Sequence, residues 1–395
     1  MGPLRGIKVI ELGQLIAGPF CGQYLADFGA EVIKIEPPGV GDAMRQWGNV
    51  RIDGRTLWWP IIARNKQSVT LDLRQSQGQA ILKQLAAKAD ILVENFRPGT
   101  LERWGLGFET LSAVNPGLIM VRVTGYGQTG PYAQRAGYAS VGEALGGLRY
   151  LSGFPDRPPS RAGISLGDTL AGLHGALGAL MALQHRHATG KGQVVDCAIY
   201  ESVLAVMESL ISEYHKGGYV RERSGSFLKG LAPSNVYPTR DGSIVIGANQ
   251  DTVFRRLCQA MERPELADDP RYRDHAARGE HQTELDDLIG QWTQTQGIAE
   301  LVERLAHHGV PAGPLYRAPE MLADPHFKAR DAITYIEDPH LGEVAMQSPF
   351  PQLSESKGAV HHTGPALGEH TEAVLQQWLG MDAPAIAALR QRGVV

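Results

Sequence analysis

The sequence predicts an α/β protein, a parallel sheet with helices on both faces, followed by a smaller α+β domain. Three observations carry this. Short β-branched runs alternate with helical segments through the first two hundred residues, the rhythm of buried strands joined by crossover helices. The chain has 395 residues, more than one ordinary core holds. The rhythm then breaks at Lys216–Pro238, where four glycines, two prolines and mixed charge read as a linker or active-site loop.

Taken in order, Ile7–Leu12 reads as a strand, Gly13–Pro19 as a loop, Phe20–Phe28 as a helix and Glu31–Glu36 as a strand. A strand Ser68–Leu73, a helix Gly78–Lys88, and strands Asp90–Glu94 and Leu118–Thr124 continue the pattern. Thr169–His187 is a helix rich in Ala, Gly and Leu, whose small residues allow close packing, closed by Thr189-Gly190-Lys191-Gly192. Strand Val194–Ile199 and helix Glu201–Tyr214 follow. Beyond the break come strand Ser243–Ala248 and helices Asp251–Met261 and Ile298–His308, with a last helix at Glu369–Leu379. The expected division is a large domain over residues 1–215, a linker over 216–238, a small domain over 239–325 and a tail over 326–395.

Composition excludes several classes of function. With 38 basic and 42 acidic residues the net charge is −4, which gives no broad field for nucleic acid. The three cysteines (Cys21, Cys197, Cys258) lie far apart and fit structural thiols in a reduced compartment. The most apolar stretch, Thr169–Gln184, is shorter than the roughly 20 residues of a membrane span and reads as a buried helix. MGPLRGIKVIEL runs into a strand without an h-region, so the expected compartment is the cytoplasm, with a mitochondrial matrix origin left open.

The opening strand, glycine turn, helix and strand-end Glu36 look like a dinucleotide site, but the glycines are Gly13, Gly18 and Gly22, not G-x-G-x-x-G. Anion donors are nonetheless grouped at strand ends: Arg64-Asn65-Lys66, Asn95 with Phe96 and Arg97, and Arg103 just beyond. Each alone reads as solvated charge; as a group, a ligand role is about equally well supported. Asp168 stands directly before the small-residue helix. Position alone favours an N-cap; the same place, favourable to an anion and flanked by Gly163 and Gly167, also suits a nucleophilic carboxylate.

These residues resemble the class III CoA-transferases, relatives of formyl-CoA transferase and carnitine CoA-transferase. The likeness runs through Ala17-Gly18-Pro19, Gly29–Glu36, Arg64-Asn65-Lys66, Glu94–Gly99, Gly167-Asp168, Gly190–Gln193, Gly309–Pro314, Asp324-Pro325 and Gly368–Thr371, and so spans nearly the whole chain. It implies a Rossmann-like large domain, a smaller domain and an interlocked homodimer. It also implies that Asp168 attacks an acyl-CoA thioester, with coenzyme A a substrate and no permanently bound cofactor or metal. Leu15, Ala17, Asn65, Lys66, Asn95, Phe96 and Arg103 would contact CoA. Arg45, Arg135, Arg161 and Tyr138 are candidates for the acid, expected to be a small dicarboxylate.

The sequence departs from the formyl-CoA transferase pattern at Pro37, where an arginine contacts CoA, leaving Arg45 as a substitute. It departs again at Ala139, where an acid follows the tyrosine, and in the glycine loop, for which Gly217–Gly230 has no assigned role. Racemases of the same fold need a histidine opposite the aspartate, and Asn115–Leu173 has none; His174 reads as a packed helix residue. A passive CoA-binding subunit would lack the nucleophile. A metal hydrolase is disfavoured because His185/His187, His307/His308 and His361/His362 form no ligand motif.

Overall fold

The computed structural model describes residues 2–395. The chain divides into two compact units, the first comprising the residues up to Leu148, Ala162–Leu210 and Lys328–Val395, the second Arg149–Arg161 and Ile211–Phe327. Ile211–Pro238, expected as the end of the large domain and a linker, thus belongs to the second unit.

In the first unit six parallel strands form the central sheet: β1 (Lys8–Glu11), β2 (Glu31–Glu36), β3 (Lys66–Thr70), β4 (Ile91–Glu94), β5 (Ile119–Thr124) and β6 (Val194–Ala198). Their order is β3-β2-β1-β4-β5-β6, so the chain reverses direction across the sheet between β1 and β4. Alternate residues serve opposite faces. Val9, Val32, Ile91 and Ile119 pack under α1 (Ala17–Asp27) and α4 (Leu166–Thr189). Ile10, Ile33, Leu92 and Met120 pack against α2 (Ser76–Ala86) and two helices of the tail, α10 (Thr371–Leu379) and α11 (Ala383–Gln391). The helix expected over Glu201–Tyr214 is two, α5 (Ile199–Leu204) and α6 (Leu210–Gly217), separated by Glu208 in the left-handed region at φ 53°.

Helix α4 has 24 residues, longer than the apolar stretch read from sequence and long and apolar enough to cross a membrane. Its small face instead lies on α1 and the sheet. A Cβ on Gly172 would sit 2.8 Å from the carbonyl oxygen of Ala17 and 3.2 Å from the amide of Cys21. The tail docks on the β3 side. His370 donates its amide to the Ser68 carbonyl (2.9 Å), and Thr70 donates its amide to the Thr371 hydroxyl (2.9 Å). A hairpin of β10 (Ile333–Asp338) and β11 (Gly342–Gln347) precedes it. The second unit has its own apolar core around three antiparallel strands, β7 (Ser234–Thr239), β8 (Gly242–Gly247) and β9 (Ala312–Pro314). Helices α7 (Asp251–Ala260), α8 (Gln282–Thr293) and α9 (Ile298–His307) contribute to that core.

Beneath the loop after β1 lies a buried charge network. Glu11, fully buried, faces Lys34 at 3.1 Å and Lys66 at 2.8 Å. Its oxygens make no aligned hydrogen bond and hold by charge alone. Gly22 makes the room, since a Cβ there would meet the Glu11 carboxylate at 1.8 Å. Lys34 also pairs with Asp42 (2.8 Å) and donates to the Gly13 carbonyl, while Lys66 donates to the Pro19 carbonyl (2.7 Å). Asp42 in turn accepts the amide of Leu15 (3.1 Å) and donates its own amide to Glu36, which holds Arg45 through two 2.8 Å bonds. Burial alone would push the Glu36 and Asp42 carboxyls up. Arg45 at the first and Lys34 at the second outweigh it, and both lie below the usual carboxylate range.

Glu11→Gln leaves two buried ammonium groups underpaired and should destabilise by about 3 kcal/mol or more in a urea titration. Because Glu36 and Asp42 have lowered folded values, their stabilisation is complete above the ordinary carboxylate pKa near ~4 and fades as pH falls through the folded values. Acid unfolding midpoints should therefore shift upward in Asp42→Asn. Gly172→Ala should cost about 1–3 kcal/mol by overpacking, while Gln184→Ala on the exposed face should stay within about 0.5 kcal/mol.

Candidate active site

The reversal between β1 and β4 opens a crevice at the carboxyl ends of the strands, where ligands of open α/β sheets bind. Two loops meet there. Gly13 and Gly18 touch, Cα against Cα, so the loop between them is drawn into a tight hoop with Leu15 in the left-handed region at φ 63°. Asn95, at the end of β4, clamps the hoop: its side-chain oxygen accepts the Gln14 amide and its nitrogen donates to the Gln14 carbonyl, both at 2.8 Å. The expected helix start at Phe20 moves to Ala17, because Pro19 is tolerated in a first helical turn.

A cavity of about 220 Å³ opens over this hoop, with Leu15, Ala17, Asn95, Phe96, Tyr138 and Asp168 in its wall. Asp168 is not the N-cap expected from sequence. The helix begins at Leu166 with Ser165 as its cap residue, which places Asp168 third in the first turn. The Ser165-x-x-Asp168 spacing, a signature of a helix start, was the sequence signal for this boundary. The anion still lies where the helix dipole favours it. Tyr138 is brought in by the close approach of Gly125 to Gly137. Burial, then the Asp168 charge, push its phenol above its usual value. No His, Lys or Arg stands in this wall; His174 faces the Leu170 carbonyl of its own helix at 2.9 Å. Among the described residues no His, Cys, Asp and Glu cluster suited to a metal is present.

A second cavity, of about 190 Å³, shares Gln14 and Phe96 with the first and continues past Glu36 and Pro37 to Arg74. The two lie side by side at the carboxyl ends of the strands, with Gln14 and Phe96 in both walls, and Phe96 stands edge-on to Trp104. Arg74 escaped the sequence reading although it lies in the loop that leaves β3, as Asn95 lies in the one that leaves β4. Its side chain is 77% exposed and pairs with Asp72 at 2.9 Å, whose carboxyl that bonding pulls down to about 2. On the far side, Ile16 separates the first cavity from an apolar one of about 760 Å³ floored by Phe20, Trp58 and Ile62.

The other predicted residues fall elsewhere. The Lys66 side chain is fully buried on Glu11 and the Pro19 carbonyl, so it braces the hoop from below and presents no ammonium to a ligand. Asn65 bonds Asp27 and Ala359 and accepts the His361 amide (2.7 Å), tying the tail to the sheet. Arg45 is committed to Glu36 and lies 3.6 Å over the Trp59 ring, which takes it from the substrate role expected of it. Arg103 is exposed and bonds Thr100 (3.0 Å), and Arg135 is exposed and stacks on Tyr132. Arg161 belongs to the second unit. Residue types announced these positions as cationic or polar, but their burial and partners come from segments far off in sequence.

Comparison with known proteins agrees with this geometry. A sequence model of CoA-transferase family III matches residues 4–371. The chain is 58% identical over 394 residues, covering all of it and 98% of the relative, to the succinyl-CoA–D-citramalate CoA-transferase of Chloroflexus aurantiacus. It is 34% identical to the human succinyl-CoA:glutarate CoA-transferase, covering all of this chain and 90% of that one. A CAIB/BAIF family protein from Brucella suis superposes with a TM-score of 0.85 at 35% identity, over 95% of this chain and 99% of that one. The chain belongs to CoA-transferase family III and is a CoA-transferase.

Proposed function

We propose that this enzyme moves coenzyme A between small dicarboxylic acids, with Asp168 as the nucleophile. The observation that carries the reading is Asp168 in the wall of a cavity that shares Gln14 and Phe96 with a second cavity lined by the cation Arg74. A CoA thioester has that layout: a reacting carbonyl, a slender arm and a phosphorylated nucleotide. The relatives act on citramalate, malate and glutarate with succinyl-CoA, which supports dicarboxylates for this chain as well.

In this reading a carboxylate oxygen of Asp168 attacks the thioester carbon. The C–S bond breaks, CoA leaves as thiolate and a mixed anhydride remains. The thiolate then attacks the Asp168 carbonyl, releasing the first acid as carboxylate and leaving an aspartyl-CoA thioester. The incoming carboxylate displaces the thiolate, giving a second anhydride, and the thiolate takes the new acyl group and frees Asp168. No net proton is transferred at any step. Covalent catalysis divides one exchange into easier ones, and the Tyr138 phenol is the candidate donor for the oxyanions. In the CoA groove Arg74 takes the place left by Pro37, beside Leu15, Ala17, Asn95 and Phe96, with Arg103 further out. Arg135 remains the candidate for the distal carboxylate of the acid. A homodimer belongs to the same reading, supported by Leu177, Leu180 and Met181 exposed along α4.

Asp168→Ala should lower turnover by about 10⁴-fold or more while CoA still binds by calorimetry; turnover near the parent level would refute the nucleophile. Acceptor acid labelled with heavy oxygen should leave one labelled oxygen in the peptide containing Asp168, read by mass spectrometry after digestion. Arg74→Ala should weaken CoA binding about 10-fold, the loss of one charge-assisted bond, with little change in the KM for the acid. Arg135→Ala should do the reverse.

A further inference from the structure

We infer that Glu143, on the helix α3 (Ala139–Leu145), is a positioning residue that fixes the first turn of α4 and thereby aims Asp168. The inference rests on the nucleophile reading above and extends it to a residue outside the cavity wall.

The side chain of Glu143 is fully buried. Its Oε1 accepts the amide of Gly167 at 3.1 Å, and Gly167 is the residue immediately before Asp168. A helix leaves its first amides without intrahelical partners, and a side chain at the cap ordinarily takes one of them. Ser165, in the cap position of α4, makes no such side-chain bond. For the Gly167 amide the acceptor comes instead from a different helix.

The packing shows that this is a built arrangement. A Cβ on Gly167 would lie 3.0 Å from Glu143 Cγ, 3.2 Å from Ile199 Cγ2 and 3.3 Å from the Ala139 carbonyl oxygen. Three elements close on this one residue: α3, α4 and the start of α5. A glycine here spares these neighbours the few tenths of an ångström that they would have to yield to a Cβ. Ala139 and Ile199 also stand in the wall of the catalytic cavity, so the same contact sets Asp168 against the surfaces that bound its substrate. In physical terms a buried carboxylate bonded to a backbone amide holds the peptide plane between Leu166 and Gly167, one residue before Asp168. An error of about 1 Å in the attacking oxygen costs on the order of 10²-fold in rate.

Three variants test this. Glu143→Leu keeps the shape and removes the acceptor, and Glu143→Asp keeps the charge but shortens the reach. Both should lower kcat by about 10–100-fold with the affinity for CoA within about two-fold, because the CoA groove does not include this residue. Glu143→Gln retains an acceptor oxygen and should restore kcat to within about three-fold of the parent. Thermal melts establish which variants are folded, and Glu143→Gln is read even if the other two are not. Turnover at the parent level in folded Glu143→Leu overturns the inference. So does a loss in Glu143→Gln as deep as in Glu143→Asp, which would make charge, not the amide bond, the operative feature. Heavy-oxygen incorporation into the Asp168 peptide of the parent enzyme is measured alongside. If it is absent, the nucleophile reading fails, whatever the Glu143 variants do.

Discussion

Glu11 between Lys34 and Lys66 is the interaction on which the rest of the first unit depends. Three side chains from β1, β2 and β3 bring their charges together beneath a loop, with no solvent to share the work. Such a group is tolerated only when every charge is matched, and removing one leaves the others stranded. Each lysine also donates to a carbonyl of the hoop, Lys34 to Gly13 and Lys66 to Pro19. The network thus converts sheet register into loop position. Leu15 can remain at a positive φ because Asp42, itself held by Lys34, takes its amide. The strain is local and its restraint lies one layer below.

The groove follows from topology once that hoop is fixed. β1 and β4 are neighbours in the sheet but 80 residues apart in sequence, and the loops leaving them diverge. Asn95 spans the gap with two hydrogen bonds, closing the floor while leaving the crevice open on either side. On one side lies the cavity of Asp168, on the other the cavity of Arg74. A ligand with a reactive end and an anionic end joined by a narrow arm matches that division.

How much of this was legible depended on whether a signal was local. Glu31–Glu36 is a strand at the predicted bounds because five apolar or β-compatible residues follow a glycine turn. Ser68–Leu73 was read two residues late: the strand runs Lys66–Thr70, and beyond it the Asp72 amide donates to the Val394 carbonyl from the far end of the chain. The partition of Lys66, Asn65 and Arg45 into scaffold was equally hidden, since their partners Glu11, Ala359 and Glu36 announce nothing by spacing. Other misses had signals that went unread. Asp382 before Ala383-Pro384 is a helix start with proline in the first turn, and it caps α11 through the Ala385 amide. Asp168 and the order of motifs around it were legible in the sequence; the wall it shares with Tyr138 and Phe96 required the fold.

The composition of that wall bears on the chemistry. General acid–base catalysis would call for a histidine or a second carboxylate facing the reacting atoms, and the lining offers neither. An exchange among carboxylate, thioester and anhydride asks for something different. Its nucleophiles and leaving groups are carboxylates and a thiolate, anions at neutral pH, and each step passes a charge on without a proton. What such a sequence needs is a rigid carboxylate, donors for transient oxyanions and walls that keep water from intercepting an activated acyl group. In the proposed mechanism a carboxylate in the first turn of a 24-residue helix, packed through glycines and alanines onto the sheet, answers the first need, and the Tyr138 phenol is the candidate for the second. Leu15, Ile16, Phe96, Val123 and Ile199 meet the third. A cavity poor in titratable groups fits the proposed exchange, which has no proton to move.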